Sequence, residues 1–276
     1  MIKNIFNLVL ILTTLIIPTA MIGAEESSFL DAITPPEDIS VNGHLIDWLF
    51  NYTTIMNIIF FAFVCIGIFG FSYLYYYKRH PKPYYTYGNK KPHILVGTII
   101  GALVFIFIDM NITRVSNNDF TKVFINWPKE SENPVRVEVM AQQWAWTFRY
   151  AGVDGVFNTD DDIITMNDLR LPTNRKITLQ FSSKDVIHSF YLPNVRRKVD
   201  AMPGRISRMW FQLTKSGVYD IACAEMCGAH HYKMQAKMTV YSEEDYENWR
   251  STAQKLAYST NDEENLDSYW GWPWKY

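Results

Sequence analysis

Cys223-Ala-Glu-Met-Cys227-Gly-Ala-His230-His231-Tyr-Lys-Met234 is the stretch on which the fold turns. It sets two thiols four residues apart, an imidazole four further on and a thioether three beyond that. Soft sulfur with imidazole suits copper better than magnesium or calcium. The spacing is too tight for a structural zinc site, which takes two separated ligand pairs. A disulfide between Cys223 and Cys227 in an exported domain is the plain alternative, and it gives no reason for His231 or Met234. Upstream, Asp185-Val-Ile-His188-Ser-Phe-Tyr-Leu-Pro193 offers another imidazole. A histidine alone on a strand is usually a packed core residue. Beside the cysteine loop it becomes a ligand candidate.

The surrounding residues, 127–240, read as all-β. Val135-Arg-Val-Glu-Val-Met140, Ile177-Thr-Leu-Gln-Phe181 and Ala236-Lys-Met-Thr-Val240 alternate apolar and polar residues with period two. Pro134, Pro172, Pro193 and Pro203-Gly204 mark turns between them. Short strands at such spacing predict a sandwich or barrel. Ser242-Glu-Glu-Asp245 then opens a helix with a capping box that runs to about Ala257. An aromatic tail, Tyr269-Trp-Gly-Trp-Pro-Trp274, ends the chain and needs a surface to cover.

The N-terminal part belongs to a membrane. Lys3, an apolar core from Ile5 to Ala20 and Ile22-Gly-Ala24 form a signal peptide over 1–24, with an uncleaved first helix as the competing reading. Ile55 to Tyr77 holds no charged residue and exceeds the ~20 residues a helix needs to cross a bilayer. Ile94 to Ile112 forms a second span, with Asp109 near its outer end. The linker between them carries Lys78, Arg79, Lys82, Lys90 and Lys91 and no acid, which places it in the cytoplasm. Everything after residue 113 then lies outside. The predicted division is 1–24 signal peptide, 25–113 with spans at about 54–77 and 93–112, 114–241 β domain, and 242–276 helix and tail.

Hydrophobic residues make up 48% of the 276, enough for a core plus membrane helices. The net charge of −2 gives no reason to expect a nucleic-acid partner. Cys65, inside an apolar run, reads as a small hydrophobe.

The loop from Cys223 to Met234 resembles, position for position, the binuclear copper (CuA) loop of the haem–copper oxidase subunit II family. The resemblance implies a Greek-key cupredoxin domain behind a two-helix transmembrane hairpin, in the inner or plasma membrane, with the copper domain on the outer, periplasmic side. It implies that Cys223 and Cys227 bridge two coppers, that His188 and His231 add nitrogens, and that Met234 and the Glu225 carbonyl are weak axial ligands. The family spacing selects His231 over His230. Asp185 reads as an orienting group behind His188, or equally as a turn residue.

The stretch Gln142-Gln143-Trp144-Ala145-Trp146 is similar to the family's aromatic segment, so Trp144 inherits electron entry from cytochrome c, or from a haem domain of another complex. As an ordinary strand it would place Trp144, Trp146 and Phe148 on one side. Lys198-Val-Asp200-Ala-Met-Pro-Gly204-Arg205 is similar to the segment that faces the haem-bearing catalytic subunit, which gives Asp200 and Arg205 an interface role. Glu225 would there contact a magnesium ion. The implied function is electron entry to a terminal oxidase reducing oxygen to water. A nitric oxide reductase of the same superfamily and a membrane-tethered copper carrier remain open.

The chain departs from the family in two places. Lys91-Pro-His93 stands where relatives carry a glutamate at a proton-channel entrance. Residues 154–162, with Asp154, Asn158, Asp160, Asp161 and Asp162, form an insertion that reads first as an acidic loop and second as a calcium loop.

Overall fold

Long runs of apolar residues that no other described residue covers set the first layer. The computed structural model describes residues 34–260 apart from 77, 80, 81, 83, 84 and 86; the expected signal peptide and aromatic tail lie outside the described residues. Helix α1 spans Gly43–Leu74 and helix α2 Lys91–Ile125, the latter with π-turns at Phe105–Asp109 and Thr121–Ile125. Along their apolar segments most side chains stay exposed, Phe61 and Phe69 at 72% each. A helix apolar on every face needs lipid, and both are long enough to cross a bilayer. The Tyr52 hydroxyl donates to the Phe107 carbonyl at 3.4 Å and ties the two helices together.

Both helices run past the apolar segments toward the outer domain. At ~1.5 Å per residue each exceeds the ~30 Å hydrocarbon layer. The added turns have their own anchors. Arg196 grips Asp47 at 2.6 Å, and Gly43 sits so close to Asp38 that a Cβ there would lie 2.0 Å from its carboxylate oxygen. Before α1, Ile39 is fully buried in the core and its neighbour Ser40 bridges to Leu213. At the other helix, Val123 is buried and Phe124 lies 4.8 Å from the Arg197 guanidinium.

The outer domain consists of two five-stranded sheets. One runs β3 (Ile163–Met166), β2 (Ala145–Tyr150), β1 (Val135–Gln142), β5 (Lys176–Ser183), β8 (Ser207–Gln212). The other runs β4 (Asp168–Pro172), β10 (Gln235–Tyr241), β9 (Gly217–Cys223), β6 (His188–Leu192), β7 (Arg197–Ala201). β1 pairs in parallel with β5 and β4 in parallel with β10; the other pairs are antiparallel. Neighbours distant in sequence give the Greek-key sandwich that the resemblance implied. Trp146, Phe148, Phe181 and Phe190 fill its centre, with Phe190 edge-on to Trp146 at 5.0 Å. Helix α3, Glu243–Thr260, begins where the capping box placed it, the Ser242 hydroxyl accepting from the Asp245 amide at 3.1 Å.

One face departs from the alternation. Glu138 on β1 and Arg149 on β2 point away from the core yet are fully buried, paired at 2.5 Å across the register Glu138↔Arg149. The 154–162 insertion covers them: the Arg149 guanidinium donates to Asn158 at 3.0 Å and lies 3.6 Å from Asp162.

Candidate metal centre

Strand ends place the ligands. His188 opens β6 and Cys223 closes β9, and the two strands pair through Phe190↔Cys223. The Ala224 amide donates to the Ser189 carbonyl at 2.9 Å, and the Cys223 amide to the Met234 carbonyl at 3.2 Å. The β9–β10 loop is thereby closed at both ends. Inside it, the His231 amide donates to the Gly228 carbonyl and the Met234 amide to the His231 carbonyl, both at 3.1 Å. The turn brings Cys227, His231 and Met234 back over Cys223.

The donor atoms converge. Cys223 and Cys227 are free, their sulfurs 3.7 Å apart. The donor atoms of His188, Cys223 and Cys227 all lie within 4.8 Å of one another. His231 Nδ1 is 3.6 Å from the Cys227 sulfur, and the Met234 sulfur is 3.7 Å from the same atom and 3.2 Å from His188 Nδ1. The Glu225 carbonyl oxygen is 3.2 Å from the Cys223 sulfur. His188, Cys227 and Met234 are buried. Thiolates, imidazoles and a thioether facing one another away from water form a donor set that fits copper.

Electrostatics favour deprotonation of Cys223 and hold protons on its neighbours His188 and Cys227. His188 Nε2 meets Asp185 Oδ1 at 2.9 Å, which leaves Nδ1 turned to the sulfurs. Burial works against charge on His188, but hydrogen bonds to Cys223 and Asp185 outweigh it and raise its pKa. Burial also disfavours the Cys223 thiolate; His188 and the surrounding amides overcome it and bring that thiol down to about 6. Cys227 is pushed up to about 12 by burial and by the charge on Cys223. Without metal the pair therefore holds one thiolate, and a soft cation held by Cys223 and Cys227 would require the second proton to leave.

Around the ligands lie groups the strand pattern did not disclose. Trp144 is not on a strand with Trp146 and Phe148. It occupies the β1–β2 hairpin turn, half-buried and edge-on to His230 at 4.5 Å. The tightness of that turn frees it from the alternation of the flanking strands. Its neighbour Gln143 donates its side-chain amide to the Cys227 carbonyl at 2.7 Å and its backbone amide to Asp185 at 2.6 Å. Gly228, at φ +122°, leaves the space: a Cβ there would meet Gln143 Nε2 at 2.8 Å and Trp144 Cζ2 at 3.3 Å. A glycine after the second cysteine was the available signal for this close approach.

The remaining predicted residues sit nearer the surface. Asp200 is exposed and accepts from the Ser189 hydroxyl at 2.6 Å, next to the carbonyl that holds Ala224. Arg205 and the Glu225 side chain are exposed. In the acidic insertion, Asp161 accepts from the Val153 amide at 2.6 Å and the Thr159 hydroxyl at 2.7 Å, and Asp162 from the Asn158 amide at 2.6 Å. Asp154 accepts from the Val156 amide at 2.8 Å. These carboxylates face the loop's own donors.

Residues 135–240 match the family profile described as cytochrome C oxidase subunit II, periplasmic domain. The chain is 30% identical over 234 residues to an alternative cytochrome c oxidase subunit 2 of Bradyrhizobium diazoefficiens, covering 76% of this chain and 78% of that one. It is 38% identical over 121 residues to cytochrome c oxidase subunit 2 of Thermostichus vulcanus, covering 44% of this chain and 34% of that one. A crystal structure of the periplasmic domain of subunit II of cytochrome oxidase of Bradyrhizobium japonicum is 27% identical, with a TM-score of 0.40, covering 44% of this chain and 94% of that one.

Proposed function

The chain belongs to the cytochrome c oxidase subunit II family, and on that premise we propose that it is the electron-entry subunit of a terminal respiratory oxidase. Its partner would be a haem-bearing catalytic subunit that reduces oxygen to water, and its electron donor cytochrome c or a haem domain of another complex. The observation that carries this reading is the convergence of thiol, imidazole, thioether and carbonyl donors at the β6–β9–β10 end of the sandwich. Two coppers held there by His188, Cys223, Glu225 O, Cys227, His231 and Met234 would supply one-electron chemistry with every protein ligand position filled.

The chain's own residues then do four things. Asp185 and Gln143 hold the ligand frame: Asp185 fixes the His188 ring, and Gln143 clamps the Cys227 carbonyl. Hydrogen bonds from behind a ligand fix ring orientation and ligand basicity. Trp144, packed on His230 and Gly228 beside that clamp, is the proposed entry point. On the other side, Ser189 links the Ala224 backbone to Asp200, which supports an exit face formed by Asp200 and Arg205. The exposed Glu225 carboxylate is the proposed contact to a magnesium ion shared with the partner subunit.

The two apolar helices fit a membrane protein with an outer domain. The proposed setting is the inner or plasma membrane with the copper domain in the periplasm, after removal of residues 1–24. Calcium at 154–162 has less support, since the loop's carboxylates are occupied by its amides. The test is turnover of the purified membrane complex with reduced cytochrome c. Oxygen uptake with water as product, abolished by Cys227→Ser, is expected. Nitric oxide turnover without oxygen uptake would overturn the reading.

A further inference from the structure

At the far end of the β1–β2 hairpin from Trp144, the outer domain has a cavity of about 160 Å³ with three arginines among its lining residues. Arg136 of β1, Arg175 before β5 and Arg250 of α3 line it together with Asn133, Tyr150 and Tyr246. We propose that this cavity binds a phosphoryl group or another tetrahedral oxyanion.

The charges in the wall are unevenly compensated. Arg175 is shared by Glu243 at 2.9 Å and Glu247 at 3.2 Å. Arg250 donates only to neutral carbonyls, those of Ala151 at 3.3 Å and Gly152 at 3.1 Å. Arg136 forms no ion pair among the described residues; its guanidinium lies 5.0 Å from the Phe157 ring. The nearby Asp161 carboxylate is turned to the Val153 amide and the Thr159 hydroxyl. Among the described residues Arg136 and Arg250 thus form no ion pair, while the acids Glu243 and Glu247 are engaged by Arg175.

The geometry selects the ligand class. A planar carboxylate is satisfied by one guanidinium fork. Arginines contributed by a strand, a turn and a helix to one cavity suit an anion with oxygens in several directions. Tyr246 is a further lining residue, its side chain buried in the core. Burial pushes its pKa up to about 12 against the pull of Arg250 and Arg175, so it stays a neutral donor. The site is remote from the copper loop: Arg136 and Gln143 are separated by about 23 Å at ~3.3 Å per strand residue. An anion here would join β1, β5 and α3, well away from the electron path.

The test is isothermal titration of the detergent-purified full-length protein in its complex with inorganic phosphate, at constant ionic strength maintained with chloride. ATP in a parallel titration separates a free-ion site from one that prefers a phosphate ester. Saturable binding at about 1 mM or tighter is expected. Arg136→Gln should weaken it at least tenfold, while Lys237→Gln, which removes an equal charge elsewhere on the surface, should leave it unchanged. Circular dichroism confirms that each variant is folded, and Arg136→Lys repeats the test with the charge kept and the fork removed. Absence of saturable heat with both probes, or equal weakening by Lys237→Gln, would overturn the proposal.

Discussion

Two loops of the outer domain each gather several metal-capable side chains in a short stretch, and they use them in opposite ways. In the β9–β10 loop, the atoms of Cys223, Cys227, His231 and Met234 face one another, with separations of 3.6–3.7 Å along the chain of contacts. In the β2–β3 insertion, Asp154, Asp161 and Asp162 each turn to an amide or hydroxyl of their own loop. The first loop turns its donor atoms toward one another. The second spends them on itself and closes a lid over the buried Glu138–Arg149 pair. Residue type alone did not separate the two cases; the direction of the donor atoms did.

The contrast can be broken most severely at Cys227. Cys227→Ser should abolish copper binding in the full-length protein, read as metal content per chain by mass spectrometry. Retention of full copper would mean that the converging sulfurs are not the ligands. In the acidic loop, Asp161→Ala leaves the Val153 amide and the Thr159 hydroxyl without their acceptor; because Val153 is exposed, water makes good part of the loss, and the cost is about 1 kcal/mol. Thermal unfolding should show that loss, and calcium or a chelator should shift the wild-type transition in neither direction. A calcium-dependent rise would erase the distinction between the loops.

A smaller effect concerns Asp162. Burial raises its carboxyl from the ordinary 3.8 to about 6, against the Asn158 amide and Arg149. With the folded pKa above the unfolded one, the folded state binds more protons between those values, so stability falls as pH rises through that window. Asp162→Asn should flatten this dependence between pH 4 and 6, measured by denaturant midpoints; an unchanged slope contradicts the assignment. The mildest change is Met234→Leu, which should keep copper bound and shift the redox potential, since a weak axial thioether tunes more than it holds. Loss of copper would show that Met234 is a holding ligand.

Much of this was legible before any coordinates. The spacing of Cys223, Cys227, His231 and Met234, with His188 upstream, specified the donor set, and the apolar runs specified the helices. Three features were not legible. The helices continue to Gly43 and Ile125 because Asp47, Ile39 and Val123 have partners in the β domain, and such long-range contacts leave no periodic trace. Trp144 left the strand pattern because a tight turn reorients it. Glu138 looked like a solvent-facing position until the insertion covered it, and a covering loop cannot be read from the alternation of the strand beneath.

The central claim is that the converging donors hold two coppers as one electronic unit. Electron paramagnetic resonance of the full-length protein in its complex, with copper counted per chain, tests it most directly. The account requires two coppers per chain and one unpaired electron shared over both nuclei. One copper per chain with a signal localised on a single nucleus would contradict it.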